Sequence, residues 1–230
     1  MFKYGIKYKT DKLTVHGYER FYDYFLIPYK FKEFTLFEIG YEQGRSFNMW
    51  NDMFEKGKIY ALDIKTELDH PKGKVFKGDQ SKKEDLDRVI LEIKKANIII
   101  DDGSHLPEHQ LFTFNYLFEK LLDFDGIYII EDIETNYWKQ GDLYNNPVIA
   151  GYNTQINIVN IFKNIVDIIN REYLLPEHLN LIQNYDVISF INLKYISFIM
   201  FGQNCIIIKK MSEKEYARYG LKKYRYIQNL

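Results

Sequence analysis

The sequence predicts an α/β fold, a mostly parallel sheet with helices on both faces. Three observations carry that prediction. Short apolar runs alternate with segments whose apolar residues recur at helical spacing, in the order β-α-β-α-β-α-β-α-β. Two of the runs, Ile98-Ile99-Ile100 and Ile127-Tyr128-Ile129-Ile130, are apolar without alternation, as strands covered on both faces are. Both end in acids, Asp101-Asp102 and Glu131-Asp132, and open α/β sheets bind ligands just past the carboxyl ends of their strands.

Composition narrows the class. With 230 residues, 46% hydrophobic and 27% charged, the chain reads as one globular domain over 1–230. A formal net charge of -1 without a basic block argues against a nucleic-acid partner. The lone cysteine, Cys205, excludes an intramolecular disulfide and fits a reducing compartment. There is no apolar leader and no 18-residue apolar span, so the expectation is a cytoplasmic protein without a membrane span. The 20 Tyr and 17 Phe suit an aromatic core, with some rings left to wall a sugar pocket; with the Tyr-rich tail they also suggest a homo-oligomer.

Residues 1–35 form a helical lead-in. Thr10-Asp11-Lys12 and His16-Gly17-Tyr18 make a polar turn before an amphipathic segment from Glu19 to Leu26, which stops ahead of Pro28. Lying across a cofactor cleft, this segment would offer Lys12, His16 or Tyr18. The first strand, Thr35 to Gly40, runs into Gly40-Tyr41-Glu42-Gln43-Gly44-Arg45-Ser46 and then a helix through Trp50. Gly40 permits a sharp turn and Gly44 a close backbone approach. A dinucleotide fingerprint would place glycine at position 42; here Glu42 would repel a pyrophosphate. Glu38, on the strand, suits an ammonium group. S-adenosylmethionine, with an amine, a sulfonium and no phosphate, fits this turn better. Asp63, ending the second strand, is positioned to accept ribose hydroxyls. Asp79 and Gln80 follow the third strand, where Asp79 could take the adenine amine or cap the next helix.

The strand through Ile98–Ile100 leads to Asp101-Asp102-Gly103-Ser104-His105, then to a helix carrying His109. Alternation along the strand turns Asp101 towards the donor and Asp102 towards the next strand's acids. Asp102, Glu131 and Asp132, with His105 beside them, read as a hard-metal site with a base. Residues 133–155 are long and irregular and start at that site, so they read as a substrate lid. Residues 156–173 have helical spacing, and Lys194–Lys209 reads as a β-hairpin.

Taken together, Glu38-Ile39-Gly40, Gly44, Ser46, Trp50, Asp63, Gly78-Asp79-Gln80, Asp101–His105 and Glu131-Asp132 with Tyr137-Trp138 resemble class I methyltransferases. The branch they resemble is that of the metal-dependent sugar O-methyltransferases of the macrocin and mycinamicin type, and the resemblance covers roughly residues 8–138. It implies a Rossmann-like, seven-stranded sheet with a C-terminal antiparallel hairpin. It implies Mg²⁺ on Asp102, Glu131 and Asp132, with His105 as base. Ser46 joins the expected donor contacts, and Tyr137, Trp138 and His109 those to the acceptor. Arg45 departs from a pattern that often has glycine there.

The chemistry favours a metal. A sugar hydroxyl has a pKa near that of water, about 15.7, and free imidazole about 6.5. Complete proton transfer between them costs about 12 kcal/mol. A cation that coordinates the hydroxyl lowers that cost. The expected function is therefore transfer of a methyl group from S-adenosylmethionine to a sugar hydroxyl of a glycan or nucleotide-linked precursor, a small-molecule or glycan substrate. Two rivals stand beside it: a metal-independent methyltransferase for another small acceptor, and a non-catalytic donor-binding paralogue.

Overall fold

The computed structural model describes residues 1–138, 142–143, 146–147, 151–152, 154, 157–170, 173 and 190–220. Three short helices open the chain: α1 (Phe2–Tyr8), α2 (Asp11–Thr14) and α3 (Glu19–Leu26). Then come β1 (Phe34–Ile39), α4 (Arg45–Met53), β2 (Gly57–Asp63), β3 (Leu68–His70), β4 (Gly73–Lys77), α5 (Lys83–Ile93), β5 (Ala96–Asp101), α6 (Pro107–Lys120) and β6 (Leu122–Glu131). A two-residue ribbon, β7 (Asp142–Leu143) and β8 (Asn146–Pro147), precedes α7 (Ile158–Ile169) and α8 (Phe190–Tyr195). The hairpin β9 (Ile196–Gly202) and β10 (Cys205–Lys210), a short α9 (Glu213–Glu215) and a π-helical turn (Tyr216–Gly220) complete the described chain.

The main sheet has eight strands in the order β3-β4-β2-β1-β5-β6-β10-β9. β4, β2, β1, β5 and β6 are parallel; β3 runs antiparallel to β4, and β10 antiparallel to both β6 and β9. The order reverses at β1, whose neighbours are β2 and β5, so the loops after these strands diverge and leave a crevice. Side chains alternate between the faces. Phe37, Ile99, Tyr128, Ile130 and Ile206 face the layer with α5, α6 and α7. Leu36, Ile98, Ile100, Ile129 and Ile207 face the layer with α3 and α4. Ile98, Ile99 and Ile100 are all fully buried, each contributing about 1.5–3 kcal/mol, so β5 is a firm anchor for the residues that follow it.

Register brings the site together. Ile39 pairs with Asp101, and Asp101 with Ile130. Gly40, Asp102 and Glu131 therefore share one rim. Cys205 pairs with Glu131, which carries the hairpin turn before it to the same rim.

The eighth strand, β3, adds an edge beyond the seven expected. It is three residues long, mostly polar and exposed, so it carries no apolar periodicity to read. The expected lid begins as a 3-10 turn, Ile133–Tyr137, with Ile133, Thr135 and Asn136 buried. Its residues 139–141, 144–145, 148–150, 153 and 155 lie outside the described residues, as does the tail from 221. Among the described residues no helix is long and apolar enough to cross a membrane.

Candidate active site

The crevice holds two joined clefts. The inner one, 300 Å³, is lined by Ile39, Leu62, Asp63, Asp79, Ser104 and His109 among others. The next, 620 Å³, runs past Tyr41, Glu42, Ser46, Asp102, His105 and Asp132, and shares Gly40, Asp63, Gly103 and Ser104 with the first. His16 closes its far end and also borders an outer pocket of 810 Å³ with Arg20, Glu134, Tyr137, Gln203 and Asn204.

Gly40 is required where the strands meet. Its φ is +100°, and a Cβ there would lie 2.1 Å from the carbonyl oxygen of Asp102. Gly44 also has positive φ, but a Cβ on it would strike the Tyr41 ring at 2.5 Å. Its role in the structure is thus to seat Tyr41. Asp63 accepts the amides of Lys65 and Thr66 at 2.8 Å on one oxygen and those of Tyr41 and Glu42 at 3.3 Å on the other. Burial alone would raise its carboxyl, but these amides win and hold it below the usual range. Asp79 accepts the amide and hydroxyl of Ser81. Gln80 bridges two loops: its Oε1 accepts the amide of Ser104 at 2.6 Å, and its Nε2 donates to Asp101 at 3.1 Å.

At the centre lies a buried ionic cluster. The ammonium of Lys12 is 2.6 Å from Asp102 Oδ2, 2.6 Å from Glu131 Oε2 and 3.2 Å from Glu38 Oε1. Glu38 also accepts the Ser46 hydroxyl at 2.8 Å, and Tyr22 donates to Glu131 Oε1. Asp132 takes the Tyr18 hydroxyl at 2.6 Å and the Asn204 side-chain amide at 3.0 Å on Oδ1. Its Oδ2 faces His105 Nε2 at 3.9 Å, and His16 Nε2 is 3.6 Å from Oδ1. Burial, helped by the charge of Asp102, pushes the Asp132 carboxyl up. Burial and the neighbouring acids do the same to Glu131 against the pull of Lys12. His105 itself sits at φ +57°, with Thr135 donating to its carbonyl at 2.8 Å.

No protein-family model matches the chain. It is 32% identical over 143 residues to the 8-demethyl-8-alpha-L-rhamnosyl tetracenomycin-C 2'-O-methyltransferase of Streptomyces olivaceus, covering 58% of this chain and 38% of that enzyme. It is 35% identical over 142 residues to the mycinamicin VI 2''-O-methyltransferase of Micromonospora griseorubida, covering 57% of this chain and 35% of that enzyme. The MycE methyltransferase, solved in complex with Mg and SAH, superposes with a TM-score of 0.76 and 25% identity over 91% of this chain and 53% of that one. The chain resembles the mycinamicin-type sugar O-methyltransferases. It spans under two-fifths of the length of these two curated relatives and about half of the MycE chain.

In this chain the donor set fits a hard divalent cation. Asp102, His105 and Asp132 each present one ligand atom, all within 4.8 Å of one another. Glu131 stands outside that group, turned inward to Lys12 and Tyr22.

The contacts give the other expected site residues these places. Asp101 does not line the clefts: it is fully buried on the α6 side, bonded to Gln80, Thr113 and Tyr128. Tyr18 is fully buried too, and supports Asp132 from behind. His109 lines the inner cleft beside Asp79, with Nδ1 2.8 Å from the Ser104 hydroxyl, while Tyr137 lies on the outer pocket. Trp138 is half-buried and is not part of that pocket's lining. Sequence reasoning missed Asn204, Tyr22 and Gln110, whose side-chain amide donates to the Glu131 carbonyl. Of these only Asn204 carries a local signal, the left-handed turn residue of a hairpin.

Proposed function

We propose that the chain is a metal-dependent O-methyltransferase. It would move a methyl group from S-adenosylmethionine to a sugar hydroxyl of a glycan or nucleotide-linked precursor, with Mg²⁺ as the expected ion. The observation that carries this reading is the position of Asp102, His105 and Asp132 between the donor-sized crevice and the outer pocket. The names of the similar enzymes, all sugar O-methyltransferases, and the Mg and SAH bound to MycE support it.

On this reading each residue has a task. Asp63 and Asp79 hold the ribose and adenine in the inner cleft, with His109 on its wall. Glu38 and Ser46 meet the methionine end. Asp102 and Asp132 would hold a divalent ion, which would supply the Lewis acidity that lowers the acceptor's pKa. His105 takes the hydroxyl proton as the oxygen–methyl bond forms and the sulfur–methyl bond breaks. Asp132, 3.9 Å from Nε2, stabilises the imidazolium so formed. Tyr137 and Arg20 border the space for the sugar. The small formal charge of the chain supports a small-molecule or glycan acceptor over nucleic acid. The single buried Cys205 supports a cytoplasmic setting.

A second reading, a metal-independent methyltransferase with His105 as base, draws on one observation: Lys12 already balances Asp102 and Glu131. Assays with S-adenosylmethionine and a panel of nucleotide-linked sugars, with and without EDTA, separate the two. Loss of turnover on chelation and recovery with Mg²⁺ supports the first; turnover that survives chelation overturns it.

A further inference from the structure

A lysine that is 1% exposed and placed among three carboxylates is unusual, because burying an ammonium is costly unless it is fully paired. Lys12 arises from α2, a helix of four residues, and crosses the rim to acids on three different strands or strand ends. Two of its partners, Asp102 and Glu131, are acids that the sequence offers to a metal ion. The third, Glu38, lies deeper and is bonded to Ser46.

We propose that Lys12 is an internal cation that competes with the divalent ion for Asp102 and Glu131. The inference rests on the metal-dependent reading above. In the structure Lys12 balances the cluster and, with Tyr22, holds Glu131 turned inward. A metal ion held by Asp102 and Asp132 would meet the nearby ammonium as a like charge. Lys12 would then fall back on Glu38 and leave Glu131 available to the ion. The lysine thus sets how tightly the site holds metal, and it acts as a positioning residue through the acids it contacts.

The test is Mn²⁺ titration, by calorimetry and by the metal-induced shift in melting temperature, on wild type, Lys12→Met and Lys12→Met/Glu38→Gln. The single variant leaves three acids, two of them buried, without a cation and can fail to fold. The double variant removes one carboxylate and one ammonium together and so keeps the cluster's formal charge. Circular dichroism establishes folding before titration. The folded variants are expected to bind Mn²⁺ more tightly by about tenfold or more, the order set by removing a like charge at such range. They should also show a larger melting shift than wild type. A merely structural lysine would predict the reverse, a folded double variant that binds Mn²⁺ equally or more weakly, and that result overturns the proposal. If only the variants take up metal, the competition is supported and the metal-dependent reading of the wild type falls. If no protein binds Mn²⁺, both fall.

Discussion

The hydroxyl of Tyr18 donates to Oδ1 of Asp132 at 2.6 Å, across 114 residues of sequence. Tyr18 has no exposed surface, so its hydroxyl needs a protein partner, and burial pushes its pKa up and keeps it a donor. Asp132 sits at φ +53°, a left-handed backbone that a non-glycine residue holds at some cost. The bond repays part of that cost and aims Oδ2 at His105. Tyr18→Phe should therefore lower Mn²⁺ affinity by about 10–100-fold, as loss of a ligand's supporting partner does. It should lower stability by about 1–2 kcal/mol. Metal titration and urea denaturation would read the two effects, and unchanged affinity would remove Tyr18 from the site.

His105 has two possible duties in the group it forms with Asp102 and Asp132. As a base it is needed for turnover only; as a ligand it is needed for metal. His105→Gln is expected to keep Mn²⁺ and S-adenosylhomocysteine binding while turnover drops by about 10²–10⁴-fold. Loss of Mn²⁺ binding in this variant would reassign His105 as a ligand.

Gly40 joins β1 to the loop after β5 at a separation that admits no side chain. In Gly40→Ala the added methyl must displace the Asp102 backbone and hold an unfavourable φ. The expected loss is about 2–4 kcal/mol in stability, with weakened S-adenosylhomocysteine binding. A variant that melts and binds like wild type would show that the rim can relax.

Lys210 gives a pH signature away from the site. Its ammonium is buried on the carbonyl oxygens of Phe118 and Leu122, at 2.7 and 2.6 Å, and desolvation pulls its pKa from 10.5 down to about 8. Below about pH 8 the group is charged in both the folded and unfolded chains, and folding carries the whole burial cost. Between about 8 and 10.5 the unfolded chain holds a proton that the folded chain has released, so stability rises with pH. Over that window wild type should gain roughly 3 kcal/mol relative to Lys210→Met, a difference in which the tyrosines common to both cancel. Urea denaturation at pH 7.5, 9 and 10.5 (chosen to bracket the window) would measure it, and a flat difference would contradict a lowered pKa.

Tyr137 is half-exposed on the outer pocket and stacks on Tyr152 with ring centroids 6.1 Å apart. If that pocket takes the acceptor, Tyr137→Ala should raise the acceptor KM about tenfold, the scale of a lost ring contact, and leave S-adenosylhomocysteine binding unchanged. An effect on the donor instead would move the acceptor elsewhere.

What the sequence by itself determined is the architecture and the address of the site. Ile98–Ile100 and Ile127–Ile130 read as covered strands, and acids directly after them then fall on the carboxyl rim of a parallel sheet. Asp102, His105 and Asp132 do converge there, because parallel register places the ends of β5 and β6 side by side. The tertiary structure alone decided what each acid touches. Alternation along β5 was legible, but α6 supplies Thr113 to the face that Asp101 joins, so Asp101 became internal support. Tyr18 and Lys12 sit on the lead-in before the first strand, and their partners lie on β1, β5 and β6 or just beyond them. Neither spacing nor periodicity encodes a contact across 90 or more residues. Glu131 and Asp132 are neighbours in the chain, yet they differ in partner. The strand holds one inward against a buried ammonium, while a left-handed turn presents the other to His105. Local chemistry chose the residues, and long-range packing assigned their partners.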